Sequence, residues 1–409
     1  MKSRTVIILW SVAIVLGIIA YFVKFHGKEE NLTQTQRAPG DRLLESLPIR
    51  EITSVTIEQG DVTTHLVRAE DNSWGVKERA NYPINYELLR NLLGSLNELE
   101  VTQGYPAAKE YWARFGLADE NAPEDIERGY LGATKVTMMG TGDEPLAQVY
   151  LGKYSGSSQV GGRFVRVAGD DSGVYAVGQT FPGITAEPKD WLGKDFLKVD
   201  QMQTITLSAP EAPEFTTWKL TRPNAQAQFS LAGMSEDEVM QLTSTNALRA
   251  LFQYSGFQDV LSPERSQELA NPDAKLKRRA VITTFDGLTY TLDFWPEQAP
   301  AKDKDSDPRL PALQPKYHFT IAVKADIPKE RAKSADEKPE DSQRLDAQFA
   351  QTQQAAQEKL AAARALEGRI FQVSQSLVSP LLKQRSDFVT AKTKPSAASP
   401  PVRVPAAQP

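Results

Sequence analysis

The stretch ITSVTIEQGDVTTHLVR, residues 52–68, decides how this chain is read. Ile52, Val55 and Ile57 open one strand, Gly60-Asp61 makes a turn, and residues 62–68 continue as a second strand. A third short strand is expected at residues 73–77 around Trp74, so the run predicts an antiparallel meander. A helix should follow, because Leu88, Leu89, Leu92, Leu93, Leu96 and Leu99 recur at helical spacing behind Asn85, a residue suited to capping an N-terminus. Its apolar stripe is expected to cover the meander. Beyond a linker holding Phe115-Gly116-Leu117, strand pairs are expected at residues 133–139 with 147–151 and 163–167 with 173–177, joined by Gly- and Asp-rich turns.

The same order then recurs. Val55-Thr56-Ile57 resembles Ile205-Thr206-Leu207, Val62-Thr63-Thr64-His65 matches Phe215-Thr216-Thr217-Trp218, and Trp74 matches Phe229. Leu89-Arg90-Asn91-Leu92 with Glu100-Val101 matches Leu248-Arg249-Ala250-Leu251 with Asp259-Val260. Residues 280–285 and 288–294 flank an Asp286-Gly287 turn, residues 317–323 answer 163–167, and residues 370–373 answer 174–177. The predicted fold class is therefore α+β: two tandem, duplicated modules of antiparallel sheet with packed helices, residues 48–197 and 198–390.

The offset between copies is about 155 residues up to Phe319 and about 196 at Ile370, so a segment has been added between those points. That segment reads as one Ala- and Gln-rich helix over residues 341–367, roughly 40 Å long. Leu345, Phe349, Ala356, Leu360, Ala363, Leu366 and Ile370 give it a narrow apolar stripe, the width of a coiled-coil seam. Leu345, Phe349, Leu360 and Leu366 are accordingly the candidate partner-binding residues. The alternative is that the stripe folds back onto its own module.

At the N-terminus, residues 5–23 carry no charge and are long enough to span a bilayer as a helix. Lys2 and Arg4 precede the run, and Lys24 and Lys28 follow it, so the flanking charges nearly balance. The short basic N-terminus favours an N-in orientation, with the body outside the cytoplasmic membrane. A cleaved signal peptide fits less well, since Ala20 is preceded by Ile18 and apolar residues continue to Phe25. Residues 1–24 are thus the expected anchor, 25–47 a polar stalk, and 391–409 a Pro/Ala tail too poor in apolar residues to fold.

Composition narrows the chemistry. With no cysteine, the chain has no lipoprotein acceptor, no disulfide framework and no thiolate nucleophile. The 47 basic and 52 acidic residues are interspersed, leaving no basic stripe for nucleic acid. Of three histidines, His26 flanks the apolar run, while His65 and His318 lie in strand patterns with no neighbour at metal-ligand spacing. Residues 173–180 have the glycine spacing of a phosphate loop, but Gln179 stands where its lysine must be. No serine is framed as a nucleophile elbow. Asp303, Asp305 and Asp307 alternate as calcium-loop ligands do, yet Pro308 and Gln314 occupy the positions that need glycine and glutamate. The tryptophans fall at strand alternations or element ends, where they are expected in the core. No cofactor and no catalytic residue is expected.

These features resemble the bacterial family called domain of unknown function 4340. The residues that carry the resemblance are the basic-flanked anchor, Trp74 and Val76, Tyr82-Pro83 leading into the leucine helix, Phe115-Gly116-Leu117, Leu151-Gly152-Lys153, and Gly162-Arg163-Phe164-Val165-Arg166 before Val174-Tyr175-Ala176-Val177. They cover residues 1 to about 200, and the second copy departs from them. The resemblance implies a companion of an ABC transport system of the gliding-motility type, and it carries no catalytic residues over. The functional expectation is a non-enzymatic, membrane-anchored extracytoplasmic adaptor. The alternatives are a glycan- or peptide-binding module of the cell envelope and, behind it, a hydrolase built on carboxylates.

Overall fold

A computed structural model describes residues 34–118, 132–156, 161–253, 255–297, 315–331 and 337–392. The apolar run at 5–23, His26, the Asp303, Asp305 and Asp307 triplet, and residues 393–409 lie outside them. Among the described residues no helix is long and apolar enough to cross a membrane. The fold is α+β, dominated by antiparallel sheets, and the chain divides into two compact units between Gly193 and Lys194.

In the first unit, β1 (Ser54–Gln59) and β2 (Val62–Arg68) form the hairpin, in a register that sets Val55 opposite Leu66 and Ile57 opposite Thr64. Val55, Ile57 and Leu66 are fully buried and alternate with partly exposed Thr56 and His65, the two-residue period of a sheet with one covered face. The unit continues with β3 (Trp74–Val76), β4 (Tyr82–Pro83), β5 (Val101–Tyr105), β6 (Thr134–Met139), β7 (Pro145–Ser155), β8 (Gly162–Val167) and β9 (Val174–Val177). Their order across the sheet is β4-β3-β2-β1-β6-β7-β8-β9-β5.

Between β4 and β5 runs helix α1 (Tyr86–Asn97). The Asn85 side chain accepts the Leu88 amide at 3.2 Å and so satisfies one of the donors that a helix start leaves unpaired. Leu89, Leu92, Leu93 and Leu96 are buried, each contributing about 1.5–3 kcal/mol of apolar burial.

The stretch from Gln34 to Leu47 is not a free spacer, contrary to the expected stalk over 25–47. The Gly40 amide donates to the Val101 carbonyl (2.8 Å), Val101 donates to Asp41 (2.9 Å), and Leu43 donates to Leu99 (2.7 Å). Leu43, Leu44 and Leu47 are buried. Three leucines and the unpaired N–H and C=O groups at the outer edge of β5 supply the reason: each stabilises the other by being covered.

The second unit is built in the same sequence: β10 (Met202–Ser208), β11 (Trp218–Thr221), β12 (Ser230–Leu231), α2 (Leu242–Arg249), β14 (Asp259–Val260), α3 (Pro263–Glu268), β15 (Arg278–Thr284), β16 (Leu288–Pro296), β17 (Lys316–Ala325) and β18 (Phe371–Ser374). Its sheet order is β12-β11-β10-β15-β16-β17-β18-β14, which follows the first sheet with β10 in the place of β1 and β14 in the place of β5, but has no counterpart of the edge strand β4. A separate two-stranded ribbon pairs β13 (Glu238–Met240) with β19 (Val389–Ala391), and it had no signal in the alternation pattern.

Helix α4 (Pro339–Arg364) enters between β17 and β18, whose counterparts β8 and β9 are joined only by residues 168–173. It starts two residues before the expected 341 because Pro339 can occupy a first helical turn, and it stops short of 367, where Gly368 takes a left-handed φ of 74°.

Candidate functional site

His65 Nδ1 lies 2.5 Å from Glu78 Oε1, on the partly exposed face of β2. His318 is buried against Trp295, ring centroids 5.6 Å apart, and burial pulls its pKa below the usual imidazole value. Among the described residues no group of three or more His, Cys, Asp or Glu is arranged to hold a metal ion. Residues 174–177 of the glycine-spaced stretch form β9, buried throughout, rather than a phosphate loop. Trp112, Trp191, Trp218 and Trp295 are buried, so they do not form a stacking surface.

The buried carboxylate Asp170 acts as a structural clamp. It accepts from Arg37, from the Tyr175 hydroxyl, and from the Ser172 hydroxyl (2.5 Å) and amide (3.0 Å). Burial alone would raise its pKa, but the bonds from Ser172 and Tyr175 and the charge of Arg37 outweigh it and hold the carboxyl below its ordinary value. The clamp fastens the start of the Gln34–Leu47 strip, since the Gln36 amide also donates to Ser172 Oγ at 2.8 Å.

Some of the residues that carry the resemblance pack together inside the first unit. Gly116 adopts φ 68° after the Lys109–Phe115 turn, which aims the Leu117 carbonyl at Arg166 Nε, 3.0 Å away. The Arg166 guanidinium lies over Tyr150 at 3.4 Å and Trp112 at 4.4 Å, a pair of cation–π contacts inside the unit.

Helix α4 has the strongest claim to a role of its own, because the first unit completes its sheet without one. Its side toward the sheet packs against β17, with Ala356 and Ala363 buried. Leu345, Phe349 and Leu360 lie partly buried on the same side, and Leu366, just past the helix, is buried beside Phe196 and Leu197 in a groove of about 370 Å³. The expected partner-binding residues therefore share the side of the helix on which Ala356 and Ala363 are buried against the protein's own sheet.

A polar latch reinforces the packing. Lys359 Nζ donates to Asp200 Oδ1 at 2.7 Å and to Asp286 Oδ2 at 2.9 Å. Asp286, in the tight turn between β15 and β16, also accepts from Thr284 Oγ1. Burial opposes the Lys359 charge, yet the two carboxylates raise its pKa above the usual lysine value. The Tyr290 hydroxyl nearby is pushed up to about 12, by burial first and by Asp286 next. Glu367 Oε1 accepts the Val323 amide at 2.7 Å. Sequence reasoning missed this latch, although Lys359 falls between Ala356 and Ala363 on the buried stripe, where a lysine requires a carboxylate partner. The opposite side, including Gln351, Gln354, Ala355, Gln357 and Glu358, is exposed.

The fold defines the class: an α+β protein of two antiparallel-sheet units with one strand order, the second carrying an added helix. The chain belongs to the family described as Domain of unknown function (DUF4340), whose family model matches residues 74–279, half of its 409 residues. No curated protein and no solved structure matches it.

Proposed function

We propose that this chain is a non-enzymatic accessory protein, anchored in the cytoplasmic membrane by residues 5–23, whose second unit presents the outer face of α4 to a protein partner in the cell envelope. The observation that carries this reading is the added helix itself. It occupies a position the first unit fills with a short turn, and it is held by its apolar stripe and by Lys359, leaving a polar ridge roughly 39 Å long facing outward. A face rich in Gln and Ala suits a reversible, hydrogen-bonded contact rather than an obligate apolar one. The family resemblance makes an ABC-type transporter subunit the partner proposed.

The test is site-specific photocrosslinking in intact cells from Gln351 or Gln354, with Ala356 on the packed side as the comparison. Capture of a transporter subunit from the two outer positions and not from Ala356 is expected. Stable protein that yields no subunit from either outer position refutes the reading, and a reporter fused after Pro409 that is active only in the cytoplasm refutes the topology.

A further inference from the structure

The second unit has an open cleft of about 450 Å³ whose lining includes Lys198, Asp200, Met202, Arg222, Arg249 and Phe252. Arg222 follows β11 directly and is 4% exposed. Its Nε donates to the Met202 carbonyl at 2.5 Å and its Nη1 to the Ala225 carbonyl at 2.6 Å. Arg249, at the exposed end of α2, donates from Nη2 to the same Ala225 oxygen at 3.3 Å. One carbonyl thus sets two guanidinium groups side by side.

The partners of both arginines are neutral carbonyls, and Arg222 also lies over the rings of Phe229 at 4.9 Å and Phe285 at 5.8 Å. Among the described residues neither arginine has a carboxylate partner. Asp200 is committed to Lys359 instead. Burial first, and the charge of Arg249 next, pull the Arg222 pKa below its usual value. A buried cation without a counter-charge is costly, so its presence calls for an anion.

The first unit supplies an internal comparison. Arg68, the last residue of β2, stands in the corresponding register: its amide donates to the Thr53 carbonyl as that of Arg222 donates to Gln203. Arg68 is partly exposed, bonds to Asn72 Oδ1 at 2.5 Å, and borders a cavity that also contains Glu51, Asp143 and Glu144. The first cavity pairs Arg68 and Arg50 with three carboxylates, whereas the second buries its arginine and is lined by one carboxylate, Asp200, which is paired with Lys359.

We propose that this cleft binds the phosphoryl group of a small phosphorylated ligand. Arg222, Arg249 and Lys198 supply three positive charges, which suit a phosphomonoester dianion better than a single-charged carboxylate. Met202 and Phe252 provide an apolar wall for the rest of the molecule, and the volume lies in the range of small-molecule sites. The site is independent of the α4 ridge, so either proposal stands if the other fails.

Isothermal titration of the full-length chain with phenyl phosphate, inorganic phosphate and benzoate tests it. Both phosphates should bind saturably, and benzoate at least about ten-fold more weakly. Arg249→Gln, an exposed substitution that leaves the fold intact, should weaken phenyl phosphate about ten-fold or more, the worth of one charge-assisted bond. Arg222→Gln should do the same where it folds, and Arg68→Gln should change nothing. Absence of saturable phosphate binding, equal affinity for benzoate, or an Arg249→Gln protein that binds as the wild type would overturn the proposal.

Discussion

Lys359→Met separates the latch from the packing of α4, because methionine keeps most of the lysine stem and removes only its charge. It leaves Asp286, whose side chain is 3% exposed, without its cation. Deleting one partner of a fully buried pair costs about 3–5 kcal/mol. The Lys359 side chain is 29% exposed, however, and Asp286 keeps its bond from Thr284, so the loss should resemble that of a single charged hydrogen bond, about 2 kcal/mol. For a unit of this size that lowers the melting midpoint by about 4–8 °C.

Hydrogen exchange locates the effect: amides of α4 and of β17 beside it should exchange about thirty-fold faster, with those of β10 and β11 changed much less. The double variant Lys359→Met, Asp286→Asn should recover much of the loss, since a neutral amide at 286 no longer needs a cation. The Lys359 pKa is raised on folding, so its contribution is complete at neutral pH and is lost only as pH climbs past the ordinary lysine value. If Lys359→Met melts with the wild type and leaves α4 exchange untouched, the latch does not hold the helix.

Asp170→Asn should release the Gln34–Leu47 strip, costing about 2–3 kcal/mol and speeding exchange at Leu43 and Val101. Because folding lowers the Asp170 pKa, its contribution is present above about pH 4 and fades below it; the variant should lose that acid sensitivity in a pH series of melts. In α1, Asn85→Ala should cost about 1 kcal/mol by denaturant melting, whereas Leu96→Ala, at a fully buried site, should cost about 2–5 kcal/mol. Equal costs would mean that the helix is held by its cap rather than by its leucines.

Much of the fold was legible because its signals are local and periodic. The hairpin at 54–68, the capped leucine helix and the recurring strand runs each declare themselves within a window of a dozen residues. What was not legible involves groups far apart in sequence. Arg37 and Asp170 form a pair across the whole first unit, and neither stands out in its own neighbourhood. β13 and β19 are three-residue strands, too short to show alternation, and they find each other across most of the second unit. The expected stalk failed beyond Gln34 for a related reason: a polar composition hides three leucines that matter only once the edge of β5 is there to be covered.

The sequence by itself determined the element types, the order in which they recur, and the position and near-length of the added helix, since alternation and helical spacing are properties of adjacent residues. The tertiary structure decided which way that helix faces. Its stripe reads equally well as a seam for a partner or as a packing face; in the fold Ala356 and Ala363 are buried against β17, and Asp200 and Asp286 meet Lys359 there. The structure likewise brought Arg222 and Arg249 to a single carbonyl oxygen. A charge carries no period along the chain, so its meaning is fixed by whatever the fold sets beside it.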